Sequence, residues 1–107
     1  MEQKFELGRL VTTRSVHDLM ENDIEFKTFV KISIGKYIHN DWGDTCKDDA
    51  KMNDEAVKSG KDRILAVYKR PSPGHEDQTI WIITEWDHSV TTVLFPSEYR
   101  YLKRRFL

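Results

Sequence analysis

A change of hydrophobic period near residue 60 constrains this chain more than any other feature. Before it, Phe26, Phe29, Val30, Ile34, Tyr37 and Ile38 recur at steps of three or four, the spacing of one helix face. After it, apolar residues run together or alternate, as in Ile64-Leu65-Ala66-Val67-Tyr68 and Ile80-Trp81-Ile82-Ile83, which is strand behaviour. A helical half followed by a strand half predicts an α+β domain: a small antiparallel sheet packed by two to three helices. The strands expected at 64–69, 79–86 and 90–95 are joined by short connections, so they form a three-stranded C-terminal meander. Residues 5–13 supply an N-terminal strand anchored by Leu10 and Val11.

Local signals place the helix ends. Ser15, three residues before Asp18, predicts the cap of a short helix that ends at Asn22. Asp23 caps the main core helix, which runs to about Asn40. Asp41-Trp42-Gly43-Asp44 reads as a turn in which Gly43 takes positive φ, and Asp44 or Thr45 caps the helix that follows. Cys46, Ala50, Asn53, Ala56 and Val57 give that helix one thin inner face, with Cys46 at least half-buried, and Gly60 stops it. So narrow a face places the helix on the outside of the domain. The strand at 79–86 is apolar on both faces and belongs in the middle of the sheet. Ser97 caps a terminal helical turn on which Tyr99, Leu102 and Phe106 share a face.

The length of 107 residues allows one core, so residues 1–107 are read as a single domain with a basic terminal extension at 97–107. Seventeen Lys and Arg against eighteen Asp and Glu give no global attraction to nucleic acid or to an anionic membrane. No apolar run approaches the roughly 20 residues needed to span a bilayer. The N-terminal residues are acidic and lack a signal core, and the single cysteine forms no disulfide, so a cytoplasmic location is expected.

Candidate chemistry is sparse. Asp41, Asp44, Asp48 and Asp49 crowd four carboxylates into nine residues, but their spacing does not fit a calcium loop, and no metal site is expected. Acids in a first helical turn interact favourably with the helix dipole in any case. Trp42, beside them, either packs into the core or stands out as a partner anchor. His17, His39, His75 and His88 are scattered, and no glycine-rich phosphate loop occurs, so neither a catalytic residue nor a cofactor is expected. Arg100, Lys103, Arg104 and Arg105, interleaved with Tyr99, Tyr101 and Phe106, form the best nucleic-acid candidate. Trp81 marks a sheet face suited to a homodimer unless the terminal segment covers it.

The order of motifs resembles a group of small proteins from bacterial genomes, plasmids and phages, some labelled plasmid-related and others a restriction-system subunit. Phe5-Glu6-Leu7-Gly8-Arg9-Leu10-Val11, the turn around Gly43, Asn53-Asp54-Glu55-Ala56, Ile80-Trp81-Ile82-Ile83-Thr84-Glu85, Asp87, Ser89-Val90-Thr91-Thr92-Val93-Leu94 and Pro96-Ser97-Glu98-Tyr99 carry it. It differs in having His88 where the group has Arg, a longer loop at 70–78, and the basic residues after Tyr99. The resemblance brings no established catalytic residues and implies a mobile-element or host-interaction setting.

The leading expectation is therefore an accessory protein that binds another protein through Asp41, Trp42, Asp44 and Asp48. The alternative is a nucleic-acid binder or small ribonuclease that uses the basic tail, with His88, Lys69 or Arg70 near a phosphate. A sheet-mediated homodimer is the third.

Overall fold

The computed structural model describes residues 5–71 and 78–100. Its elements follow in the order β1 (Arg9–Thr12), α1 (Arg14–Asn22), α2 (Ile24–Ile38), α3 (Lys47–Ser59), β2 (Ile64–Arg70), β3 (Gln78–Thr84) and β4 (Val90–Leu94), with a single 3-10 turn at Pro96–Glu98. The architecture is α+β. Its four-stranded sheet has the order β1-β4-β3-β2 and is mixed, because β1 pairs parallel to β4 while the other two pairings are antiparallel. The wholly antiparallel expectation fails at β1 alone: three helices intervene before β2, and a long crossover leaves strand direction free.

Helix α2 is the centre of the core. Phe26, Val30, Ser33 and Tyr37 are its buried positions and fall on one face at helical spacing. Asp23 accepts a hydrogen bond from the Phe26 N–H through Oδ1 at 3.1 Å, the expected cap, and its own N–H closes α1 on the Leu19 carbonyl. Helix α1 is capped two residues earlier than Ser15 predicts, because Thr13 accepts from the Val16 N–H. Gly60, at φ 75°, ends α3 as expected.

The helix-facing side of the sheet carries Ile64, Ala66, Tyr68, Ile80, Ile82 and Val93, all buried. Within it runs a chain of hydroxyls. Tyr37 Oη and Thr84 Oγ1 are 2.7 Å apart, Thr84 and Thr91 hydroxyls are 2.7 Å apart, and Thr91 donates to the Leu7 carbonyl. Desolvation raises the Tyr37 phenol above its ordinary range, so the group stays a neutral hydrogen-bonding partner. On the opposite side the Tyr99 ring stands edge-on to Trp81 at 5.3 Å, so the terminal segment partly covers this face. Trp81 lies beside Val67 and Leu94 in the register.

The N-terminal anchors also move. Leu10 is 44% exposed, and Phe5 takes the expected core role instead, packing between the rings of Tyr37 and Trp42. The final turn is held by Glu98, whose Oε1 accepts from the Phe95 N–H and the Thr13 hydroxyl. Ser97 lies inside that turn and does not cap it.

Candidate functional site

One residue of the acidic stretch, Asp44, joins Thr45 and Asn53 along the outer edge of β2. Alternate residues of a strand present their backbone groups to opposite sides, so Leu65, Val67 and Lys69 face away from β3. Each finds a partner. Asn53 Oδ1 accepts from the Leu65 N–H at 3.2 Å while its Nδ2 donates to the Leu65 carbonyl at 2.8 Å. Thr45 Oγ1 accepts from the Val67 N–H, Asp44 N–H donates to the Val67 carbonyl, and Asp44 Oδ2 accepts from the Lys69 N–H, each at 2.8 Å. These five bonds seal an edge that would otherwise template pairing with another chain.

That engagement corrects several expectations. Asp44 and Thr45 are committed to β2, so Cys46 takes the N-cap of α3 with no side-chain cap bond, and its thiol is exposed, not half-buried. Asp41 Oδ1 accepts from the Gly43 N–H, and the Tyr68 hydroxyl donates to the Asp41 carbonyl. Trp42 is only 6% exposed, stands edge-on to Tyr37 at 5.4 Å, and donates Nε1–H to Asp54 Oδ1 at 2.8 Å. A buried indole belongs to the core and offers no anchor to a partner. Asp48 is exposed in the first turn of α3. The required φ of 61° at Gly43 and the Tyr68 ring, 2.5 Å from where a Cβ would sit, explain the glycine there.

Of the described nucleic-acid candidates, Arg70 and His88 lie at opposite ends of the β2–β3 ladder. Arg100 is exposed, and Lys103, Arg104 and Arg105 lie outside the described residues. Arg70 is 3.7 Å from Asp23 and lies over the rings of Phe26 and Phe29, at the end of the β2–β3 ladder where Arg70 meets Gln78. His88 follows the opposite end, where Ile64 meets Thr84. Among the described residues no cluster of three His, Cys, Asp or Glu side chains is placed to hold a metal ion. A shallow groove of about 90 Å³ lined by Asp49, Met52, Asn53, Arg63 and Leu65 is small beside the roughly 300 Å³ of an ordinary ligand pocket.

One end of the sheet holds a feature the sequence did not single out. Three residues with positive φ meet there: Gly8 at 64°, Asp62 at 79° and His88 at 56°. Such backbone is strained for residues other than glycine and persists only where neighbours enforce it. The enforcement is visible. Asp62 N–H donates to the Trp86 carbonyl at 2.9 Å, and His88 Nε2–H donates back to the Asp62 carbonyl at 3.0 Å. His88 N–H closes the turn on the Glu85 carbonyl, and Asp87 Oδ1 accepts from Ser89 N–H. Gly8 abuts the His88 and Ser89 carbonyls so closely that any Cβ would lie within 2.4 Å of them. The His88 ring is 8% exposed and packs edge-on to Phe5, which makes it a strut of this turn.

On this braced turn Trp86 is 69% exposed. Glu85 beside it is raised above the usual carboxyl range by burial, against the attraction of Arg63. Asp87 is lowered by its hydrogen bonds to Ser89. An aromatic in a turn otherwise made of Asp, His and Ser is the sequence signal for this site, since turn chemistry favours small polar residues there.

Comparisons with protein-family models, with curated proteins and with solved structures each give no match. No helix among the described residues is long and apolar enough to cross a membrane.

Proposed function

We propose that this chain is a binding module that acts by holding another protein, with Trp86 as the anchor of the contact. The exposure of the Trp86 indole on a turn braced by Gly8, Asp62 and His88 carries this reading. Tryptophan is enriched among the residues that dominate binding energy, and a side chain presented by a fixed backbone loses little conformational entropy on association. The other large exposed apolar residues, Ile24, Ile32, Met52 and Leu10, carry no aromatic ring, and apolar side chains exposed singly are common on any surface. The cytoplasmic location expected from the N-terminal residues and the single cysteine, and the mobile-element or host-interaction setting implied by the sequence resemblance, belong to the same proposal.

The test is affinity capture from host lysate with the wild-type chain and with Trp86→Ala, half of each sample treated with RNase. A protein recovered by the wild type in both halves and lost with Trp86→Ala supports the reading. Recovery that ignores Trp86 contradicts it, and recovery abolished by RNase favours the basic residues after Tyr99.

A further inference from the structure

The two edges of the sheet are treated differently. The outer edge of β2 is sealed by Asn53, Thr45 and Asp44, as described above. Strand β1 forms the other edge. Arg9 and Thr13 donate their N–H groups to the Ser89 and Val93 carbonyls of the β4 segment, both at 3.0 Å. By alternation Val11 also faces β4, and Leu10 and Thr12 turn their N–H and C=O groups outward. Among the described residues no side chain or backbone group meets these outward groups, and Leu10 is 44% exposed. Proteins ordinarily block such edges, and an extended segment that adds a strand gains main-chain hydrogen bonds along them.

Charge decides the occupant. Arg9 and Arg14, both exposed, flank the edge, and neither is ion-paired among the described residues. Glu6 is separated from the strand by the left-handed bend at Gly8. A second copy paired antiparallel about Val11 would set Arg9 of one chain opposite Thr13 of the other, next to its Arg14, crowding like charges at both ends of the seam. An extended segment with acidic residues flanking a β-branched centre meets the same two cations favourably. We propose that the outer edge of β1 is a strand-addition site for an acidic, extended peptide segment of a partner protein. This shares with the preceding reading only the premise that the chain binds protein, since Trp86 takes no part in it.

The probe is the synthetic peptide acetyl-Glu-Val-Thr-Val-Glu-amide, and the readout is amide hydrogen exchange resolved by residue. Saturating peptide is expected to slow exchange at Leu10 and Thr12 by about tenfold or more, with Val11 and Thr13 already protected by β4. The Lys-flanked peptide and a backbone N-methylated Glu peptide should leave Leu10 and Thr12 unchanged. In the double variant Arg9→Glu, Arg14→Glu the preference should reverse toward the Lys-flanked peptide, and Trp86→Ala should bind the Glu peptide as the wild type does. Equal protection by the two charged peptides, or none by either, overturns the proposal. So does protection that grows with protein concentration in the absence of peptide, which would assign the edge to a second copy.

Discussion

Asn53 holds the β2 edge at one point through two bonds, and removing it gives a worked test of the edge seal. Asn53→Ala deletes the acceptor for the Leu65 N–H and the donor to the Leu65 carbonyl, 3.2 Å and 2.8 Å away. Each backbone group stranded out of water costs about 1–3 kcal/mol, so two fully stranded groups would cost about 2–6 kcal/mol. Asn53 is only 3% exposed, but Leu65 is half-buried and the groove beside it is open to water, which places the effect near the lower end, about 2–3 kcal/mol. For a domain of this size that lowers Tm by roughly 10–20 °C. Urea denaturation followed by far-UV circular dichroism measures it, with Asn53→Asp as the companion. The aspartate keeps the acceptor but sets a carboxylate against the Leu65 carbonyl, so it should lie no higher in stability than the alanine variant. The freed edge should also make Asn53→Ala aggregate with rising concentration. A loss below about 0.5 kcal/mol, the range of an ordinary surface substitution, would refute the claim that side chains hold this edge.

Four further outcomes follow from the same structure. Trp42→Ala should cost about 3–5 kcal/mol and abolish much of the near-UV dichroism, as for any large buried aromatic. Gly8→Ala should cost well over 1 kcal/mol in thermal melts because positive φ and the His88 and Ser89 carbonyls both oppose a Cβ. Gly60→Ala meets open space and should cost about 1–2 kcal/mol from its φ alone. Tyr37→Phe should cost about 1–3 kcal/mol by depriving buried Thr84 of a partner, measured by urea titration.

The pH dependence has opposite signs at two neighbouring acids. Burial raises Glu85, so it binds its proton more tightly folded than unfolded; its favourable contribution is present at acid pH and is lost as pH rises through the folded-state pKa. Glu85→Gln should therefore gain stability relative to the wild type as pH rises through that range. Asp87 is lowered by its bonds to Ser89, so its contribution is present above the ordinary aspartate range and is lost as pH falls through the folded-state pKa. Asp87→Asn should lose stability at neutral pH and converge with the wild type in acid. Denaturation midpoints across pH 2–8 read both, on the scale of ordinary carboxyl titration.

Local signals proved legible where neighbours in sequence decide the structure. Asp23 caps α2 and Gly60 ends α3 within their own turns, and the turn at Gly43 closes on the Asp41 side chain two residues before it. The double-sided apolar pattern of β3 correctly put it inside the sheet. What was not legible depends on distant partners. Asp44 and Thr45 have the chemistry of caps, yet partners 22 to 25 residues away claim them. The burial of Trp42 follows from Phe5 and Tyr37 closing around it, and Leu10 reads as an anchor only until β1 is found at the sheet edge. His88 shows no local sign of positive φ, and the exposure of Trp86, an aromatic among small polar turn residues, depends on that turn geometry.

In the proposed reading Trp86 anchors a protein contact from a fixed turn. Its most direct measurement is a titration of the captured partner, purified, against the wild-type chain and Trp86→Ala, with the thermal midpoint of each recorded. A Kd weaker by about 30-fold or more is expected, the scale of a binding hot spot of about 2 kcal/mol, with the midpoint unchanged. A Kd within about threefold of the wild type would contradict it, since that is less than 1 kcal/mol and typical of a peripheral residue.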